Sequence, residues 1–495
     1  MDEIEELRRK RAIKVVITDI FMTLSVVAIV FVLVAVVAGW RFNADLSLEQ
    51  NGLVSLRTKP TGAEVYIDGE KDSSLTNMSK MLPGGKHTIE LKKDGYTSWK
   101  KEVTVTPGWL LRLEYPKLFK ENRERTTIKD FDSIEFFHVS RDRTAAILAT
   151  AKTTEWYYIT DFSNTPKFTK IDVRGIFSGT DNGDFPYNIE SIEWSKNNEK
   201  VLIKTAGENS EWVVINLKSI KDSINITKDY VRFEANSDTI GASAKTADQK
   251  TITSAKFENE VGDKLIAVVN NDLIRIDLAG KIISSAFANN VYDYKLYESS
   301  VVYSTLPVEG KKSIMYLRLG ERAPITIAEI PDANTPITYS ITNYNSMSYI
   351  AYTIGNVLHV HRAKDFPVVD TSFKMKSIIK KELSVTPTAV EVSFNNEFTI
   401  FRADNNIVVF DAEIDDFTEY DCVDNKTRFL DNYIMYRTDE DGSLLAWDFD
   451  GTNFRTLIND SASNDYDALI SSNDHYFYYI QKTDTKFILI QEKLN

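Results

Sequence analysis

A single cysteine, Cys422, stands in a chain of 495 residues. No disulfide can close within it and no thiolate cluster can hold a metal, so stability must come from burial. Basic side chains are in deficit too: 59 Lys and Arg against 72 Asp and Glu leave a net charge of -13. That balance excludes a general phosphate-backbone binder, and no nucleic-acid partner is expected. Histidines number 5 and are scattered: His87, His138, His359, His361 and His475. His359 and His361 share one strand face, but no second cluster exists to complete a metal site with them. The runs from Asp439 to Gly442 and from Asp448 to Gly451 lack the glutamate that a calcium loop needs at its twelfth position and read as hairpin turns. No Gly-x-Ser-x-Gly elbow, Walker-type loop, His-Glu-x-x-His or dinucleotide fingerprint occurs. Neighbouring acids such as Asp415 and Asp416 are what so acidic a chain produces by accident. No catalytic, cofactor-binding or metal-ligating residue is therefore assigned, and no cofactor is expected.

What is present is ordinary globular material, with 43% hydrophobic and 26% charged residues, which rules out wholesale disorder. At roughly 150 residues per domain the length accommodates about three units. From Ile20 to Trp40 no side chain is charged, and a helix of that length rises about 30 Å, enough to span a bilayer. Arg8, Arg9, Lys10, Arg11 and Lys14 precede it, and Arg41 alone follows closely. The basic flank should remain in the cytoplasm and the long C-terminal part should be exported. A cleaved signal peptide, with Val36 and Ala38 as small residues before the cut, and a buried core helix are the alternatives. The long apolar run favours a retained anchor, with Trp40 at the far interface. Residues 41–52 are mostly polar and aperiodic and read as a short tether.

Structure resumes at Leu53 with short β-prone runs broken by turn residues. Pro60, Gly62, Ala63, Val65, Ile67, Asp68 and Gly69 make a turn, an apolar strand and an Asp-Gly turn. Pro83 and Gly84 mark the next turn, and Gly95 with Tyr96 a later one. This order resembles the PEGA domain, with Thr61 where that family has its glutamate. The resemblance implies a small β-sandwich over residues 53–118, common on exported bacterial proteins and used for protein contact or envelope attachment. It transfers no catalytic residue, and each Gly and Pro is also explained by the turn it permits.

Beyond Tyr115 helical periodicity is missing at any length, and short β-branched and aromatic runs alternate with Asn, Asp and Ser turns. A pattern of strand, polar turn, strand, turn, strand begins at Ser133, repeats at Ser191, and recurs from Ala255, Val291, Ile337, Val390, Phe429 and Leu469. The mean interval is about 48 residues, the length of a four-stranded propeller blade. The repeats resemble those of Tol-type and tryptophan-aspartate propellers; Trp194, Ser195, Lys196, Asn197 and Asn198 are similar to the Trp-Ser-Pro-Asp-Gly turn of the first, without its Pro and Gly. A ring of eight blades over residues 119–495 is favoured, with seven blades or two stacked sandwiches as alternatives. The last unit carries three strands, and the β-prone segment from Thr126 to Phe131 should supply its fourth and join the ends of the ring.

The chain is thus expected to be mainly β: a cytoplasmic tail (1–19), a transmembrane helix (20–40), the tether, the PEGA-like sandwich and the propeller. The function that follows is a single-pass cell-envelope protein whose exported propeller binds a protein or glycan partner. An exported propeller enzyme acting on glycan or peptide, and a structural component of an envelope layer, are the competing readings.

Overall fold

A computed structural model describes residues 2–37, 40–42, 48–235, 251–321, 323–367, 373–422, 427–459, 462–463 and 465–494. The chain divides into two compact units, Met1–Arg123 and Glu124–Leu494.

The first unit opens with helix α1 (Asp2–Val37). Its segment Ile13–Ala35 has a mean hydropathy of 2.6 and none of its residues is buried within the protein. It is the one helix among the described residues long and apolar enough to cross a membrane, and its bare side chains remove the core-helix alternative. Two expectations need correction. Trp40 lies in a strand rather than at the end of the helix, and the supposed tether carries strand residues. Strands β1 (Trp40–Phe42) and β2 (Leu48–Gln50) pair antiparallel with Trp40 opposite Gln50. Strands of three residues are too short to show alternation, which is why the segment reads as aperiodic.

The sandwich follows as two sheets, one with β3 (Gly52–Leu56) between β6 (Met78–Leu82) and β9 (Leu110–Leu113). The other runs β5 (Glu70–Leu75), β4 (Glu64–Ile67), β7 (Gly85–Lys92) and β8 (Trp99–Val105). Val54, Leu56, Ala63, Val65, Ile89, Leu91 and Trp99 are wholly buried between them. Residues 119–123 stay with this unit: the Thr97 N–H donates to the Phe119 carbonyl at 2.8 Å.

The second unit is a closed ring of eight four-stranded sheets. Seven blades are consecutive meanders, starting at Phe136, Ile189, Ile252, Val291, Ile337, Ala389 and Arg428. The eighth takes Leu469–Ile470, Tyr476–Lys482 and Phe487–Lys493 from the end of the chain and its fourth strand, β10 (Arg125–Phe131), from the beginning. β10 pairs antiparallel with the last strand from Arg125 opposite Glu492 to Phe131 opposite Phe487. The ring therefore closes as expected, and the count is eight. Each sheet buries both faces against its neighbours, so the cores lie between blades: Phe131, Phe137, Leu148, Tyr478 and Leu489 join blades 8 and 1, and Trp156, Val201, Ile203 and Phe185 join blades 1 and 2.

Among the described residues of this unit one α-helix interrupts the β pattern, contrary to the reading of no helical period. Helix α2 (Ile226–Ala235) connects blade 2 to blade 3 and buries Ile226, Tyr230 and Phe233 against both. The Asn225 side chain caps it by accepting the Lys228 N–H at 3.1 Å. Ten residues with three anchors are too few to stand out from the surrounding strands.

Candidate functional site: the centre of the ring

The first strand of each blade faces the axis, and the turn that follows it sets one end of the central channel. In blades 1, 2, 6 and 8 that turn has one design. Ser140, Ser195, Ser393 and Ser471 are buried. Each hydroxyl donates to an acid or amide two residues on, Asp142, Asn197, Asn395 and Asn473, at 2.7 to 2.9 Å. Each hydroxyl also accepts the N–H five residues on, at 2.9 to 3.0 Å. The position where the Tol-type turn has Gly is left-handed here too, filled by Arg143, Asn198, Asn396 and Asp474 with φ of 62°, 57°, 64° and 59°. The turn resembled on one stretch of sequence is thus repeated in four blades, held by the buried serine and its acid or amide partner, without the Pro and Gly.

These turns interlock. Asn198 donates to the Asp142 carboxylate at 2.8 Å, tying blade 2 to blade 1. Arg143 donates to the Ile470 carbonyl of blade 8 at 3.1 Å. Arg141 reaches past blades 7 and 8 to blade 6, donating to the Ser393 carbonyl at 2.9 Å and to Asn396 Oδ1 at 2.6 Å. A contact between blades that are not neighbours must pass close to the axis, so Arg141 straps this end of the channel. Burial lowers its pKa while Glu391 and Glu193 act in the opposite direction.

Deeper in, charges meet in pairs, some between neighbouring blades and some within one. Lys256 of blade 3 lies 3.2 Å from Glu193 of blade 2, whose other oxygen accepts the Phe257 N–H at 2.8 Å. The Glu193 carboxylate holds the Lys256 ammonium above its usual range. Lys295 of blade 4 is pushed down by burial, against the pull of Asp293. Arg402 pairs with Glu391, and Arg428 with Asp467 at 2.8 Å. His138, its pKa lowered by burial, accepts the Trp194 indole N–H at 3.0 Å. Among the described residues the channel thus holds the ion pairs Glu193–Lys256, Glu391–Arg402 and Asp467–Arg428, an arrangement that stiffens a ring. At the other mouth, where the inner strands begin, Glu190, Thr253, Tyr292 and Ala389 are exposed, Tyr292 by 67%. Lys204 neutralises Glu190 at 2.6 Å.

The remaining sequence candidates resolve into packing. The His359 and His361 rings both stack on Tyr352, at 4.8 and 5.6 Å between centroids. Asp415 forms an ion pair with Arg362. Gly442 and Gly451 close turns by donating N–H to Asp439 and Asp448. Among the described residues no group of three His, Cys, Asp or Glu is placed to hold a metal. Between blades 7 and 8 a cleft of about 430 Å³ is lined by Asp439, Glu440, Asp441, Asp465 and Asp484 beside Lys482. A groove along Val16, Ile20, Leu24 and Val27 is the bare flank of α1.

In the sandwich the motif residues build turns and core. Ala63 and Val65 are fully buried, with Ile67 and Tyr96 packed against the same core. The peptide before Pro60 is cis, and Gly62, Asp68, Gly69 and Gly95 all have positive φ. The Asp68 carboxylate accepts the Thr88 N–H at 2.8 Å and meets His87 Nδ1 at 2.7 Å. Gly84, after Pro83, admits no side chain, since a Cβ would stand 2.5 Å from Pro107.

Residues 51–117 match the PEGA domain family. Among solved structures the ring is similar to the C-terminal WD40 domain of Sif2, with 12% identity, a TM-score of 0.44, and 74% of this chain and 97% of that one covered. It is similar also to an oligogalacturonate lyase from Vibrio parahaemolyticus, with 9% identity, a TM-score of 0.39, and 76% and 99% covered. A third is apo AztD from Citrobacter koseri, with 11% identity, a TM-score of 0.37, and 80% and 94% covered. These likenesses are distant, and the propeller rests on the strand order given above. No curated protein matches the sequence. The chain thus joins a helix able to span a membrane, a PEGA domain and an eight-bladed propeller, the makings of a binding or scaffold module.

Proposed function

We propose that the chain is a single-pass protein of the cell envelope, its basic N-terminus in the cytoplasm, whose PEGA domain and propeller stand outside and bind a protein or glycan partner. The observation that carries this reading is the bare apolar segment Ile13–Ala35, preceded by the cluster from Arg8 to Lys14 and followed by two folded β units. The channel supports a binding role, because several of its charges are paired and one end is strapped by Arg141. The accessible mouth with Tyr292 is where a partner would sit. Protease added to intact cells should remove the propeller while sparing the N-terminal tail; survival of the propeller while surface controls are degraded overturns the topology. Cross-linking on those cells should recover one stoichiometric partner, reduced by Tyr292→Ala, whereas recovery of a cleaved glycan or peptide product overturns the binding reading in favour of an enzyme.

A further inference from the structure

We propose that the PEGA domain is a foot resting on the bilayer rather than a stalk, with Trp109 and Leu110 inserted into the interfacial zone of the membrane that α1 spans. The inference rests on α1 being an anchor and goes beyond that reading. A tether of twelve extended residues over 41–52 would reach about 40 Å and free the domain from the surface. The β1–β2 hairpin removes that slack. Gln50 lies directly opposite Trp40, and Trp40 follows the last helical residue, Val37, by three positions. With paired Cα atoms about 5 Å apart and three residues reaching about 10 Å, Gln50 stands at most about 16 Å from the end of the helix.

Gln50 in turn touches the loop between β8 and β9. The Gly108 N–H donates to the Asn51 carbonyl at 3.0 Å, and the Leu53 N–H to the Trp109 carbonyl at 2.9 Å. A Cβ on Gly108 would stand 2.5 Å from Gln50 Nε2. This loop carries the apolar surface of the domain: Trp109 is 73% exposed, as bare as Phe31 within the span at 72%, with Leu110 at 46% and Leu53 at 36% beside it. Leu53 and Leu110 are register partners, so the three side chains share one end of the sandwich. The chain leaves by the opposite end, where the Leu118 N–H donates to the Lys59 carbonyl. A tryptophan with a bare ring and an N–H suits the headgroup boundary. Three such residues would bind a vesicle weakly alone, but the covalent anchor supplies the effective concentration that makes the contact persistent.

The test uses the full chain in a Cys422→Ser background, reconstituted in vesicles of phosphatidylcholine and phosphatidylglycerol, with a fluorophore on Thr106→Cys, Leu24→Cys or Val231→Cys in turn. Nitroxide-bearing lipid should quench the labels at 106 and 24 but not at 231, and iodide should quench only 231 strongly. Adding Trp109→Ser and Leu110→Ser should lower lipid quenching at 106 and open that position to iodide, with the resistance of the domain to protease unchanged. Quenching at 106 by iodide alone, with 24 still quenched by lipid, overturns the foot and leaves the anchor standing. Protection of 106 from both quenchers points to a protein occupant and overturns it as well. Loss of lipid quenching at 24 removes the anchor itself.

Discussion

The PEGA domain and the propeller are both built from short antiparallel strands, yet they hold themselves together differently. The domain has one core, in which Trp99 is wholly buried and meets Tyr115 edge-on at 6.0 Å. All of its strands from β3 to β9 except the exposed β5 send side chains into that core. The propeller has separate cores between successive blades. Damage to one is shared by two blades, and the whole is integrated by the seam where the two ends of the propeller unit meet, with the Arg141 strap beside it. A small sandwich is thus vulnerable at its centre, and a ring at its seam.

The sharpest way to break that contrast is to remove β10. Deleting residues 125–131 leaves blade 8 with an open edge and exposes Leu489 and Tyr478, now buried. The propeller should lose its single cooperative melting transition while the PEGA domain, followed by limited proteolysis, stays folded. Retention of one sharp transition would show that the seam carries no more than any other blade. The converse experiment is Trp99→Ala, expected to cost about 3–5 kcal/mol. It should unfold the PEGA domain selectively, seen as early cleavage between residues 53 and 118 with the propeller melt unmoved.

How far these regions were legible follows from what each residue had to do. The seam could be read because the last repeat carries three apolar strands and a β-prone segment stands before the first. The core of the PEGA domain could be read because turns at Pro60, Asp68-Gly69, Pro83-Gly84 and Gly95 punctuate it. The strap could not, because Arg141 meets Asn396 across 255 positions and no local pattern records that meeting. Nor could the foot: Trp109 looks like any aromatic in a strand until the β1–β2 register brings Gln50 back to Trp40. Helix α2 had a signal, Asn225 ahead of Ile226, Tyr230 and Phe233, and it was lost among strands of similar composition.

A pH experiment sharpens the contrast at blade 6. Glu397, 8% exposed, is raised to about 7 by burial first and by Asp411 next, with Glu413 adding to it and the Asn395 and Tyr433 side chains opposing. Tyr344 and Tyr433 close the same site and are themselves raised, with burial the main cause. In the unfolded chain this carboxyl ionises near 4.5, before the native one does. Native stability from this group is therefore complete below about pH 4.5 and falls as pH rises to about 7, by at most about 3 kcal/mol. The melting temperature of the propeller should drop over that window, and Glu397→Gln should flatten the drop. An unchanged slope in the variant would place the sensitivity elsewhere.

The smallest expected effects lie in the turns, where the ring shows how little each blade matters alone. Ser195 is buried, and its hydroxyl both donates to Asn197 and accepts the Lys200 N–H. Ser195→Ala leaves that N–H with one partner fewer and should cost about 1–3 kcal/mol. Ser346 is the opposite case. With Asn345 it forms the two-residue turn between Tyr344 and Met347, both residues at positive φ, 47° and 61°. That geometry belongs to the hairpin turn that favours Asn-Gly, and a serine pays for its Cβ there. Ser346→Gly should therefore stabilise the propeller by roughly 0.5–1 kcal/mol, a rise in melting temperature of a few degrees at most. If closure integrates the ring, the gain will appear in the one common transition; a gain confined to local amide exchange in blade 5 would mean that the blades respond separately and that the seam joins them only mechanically.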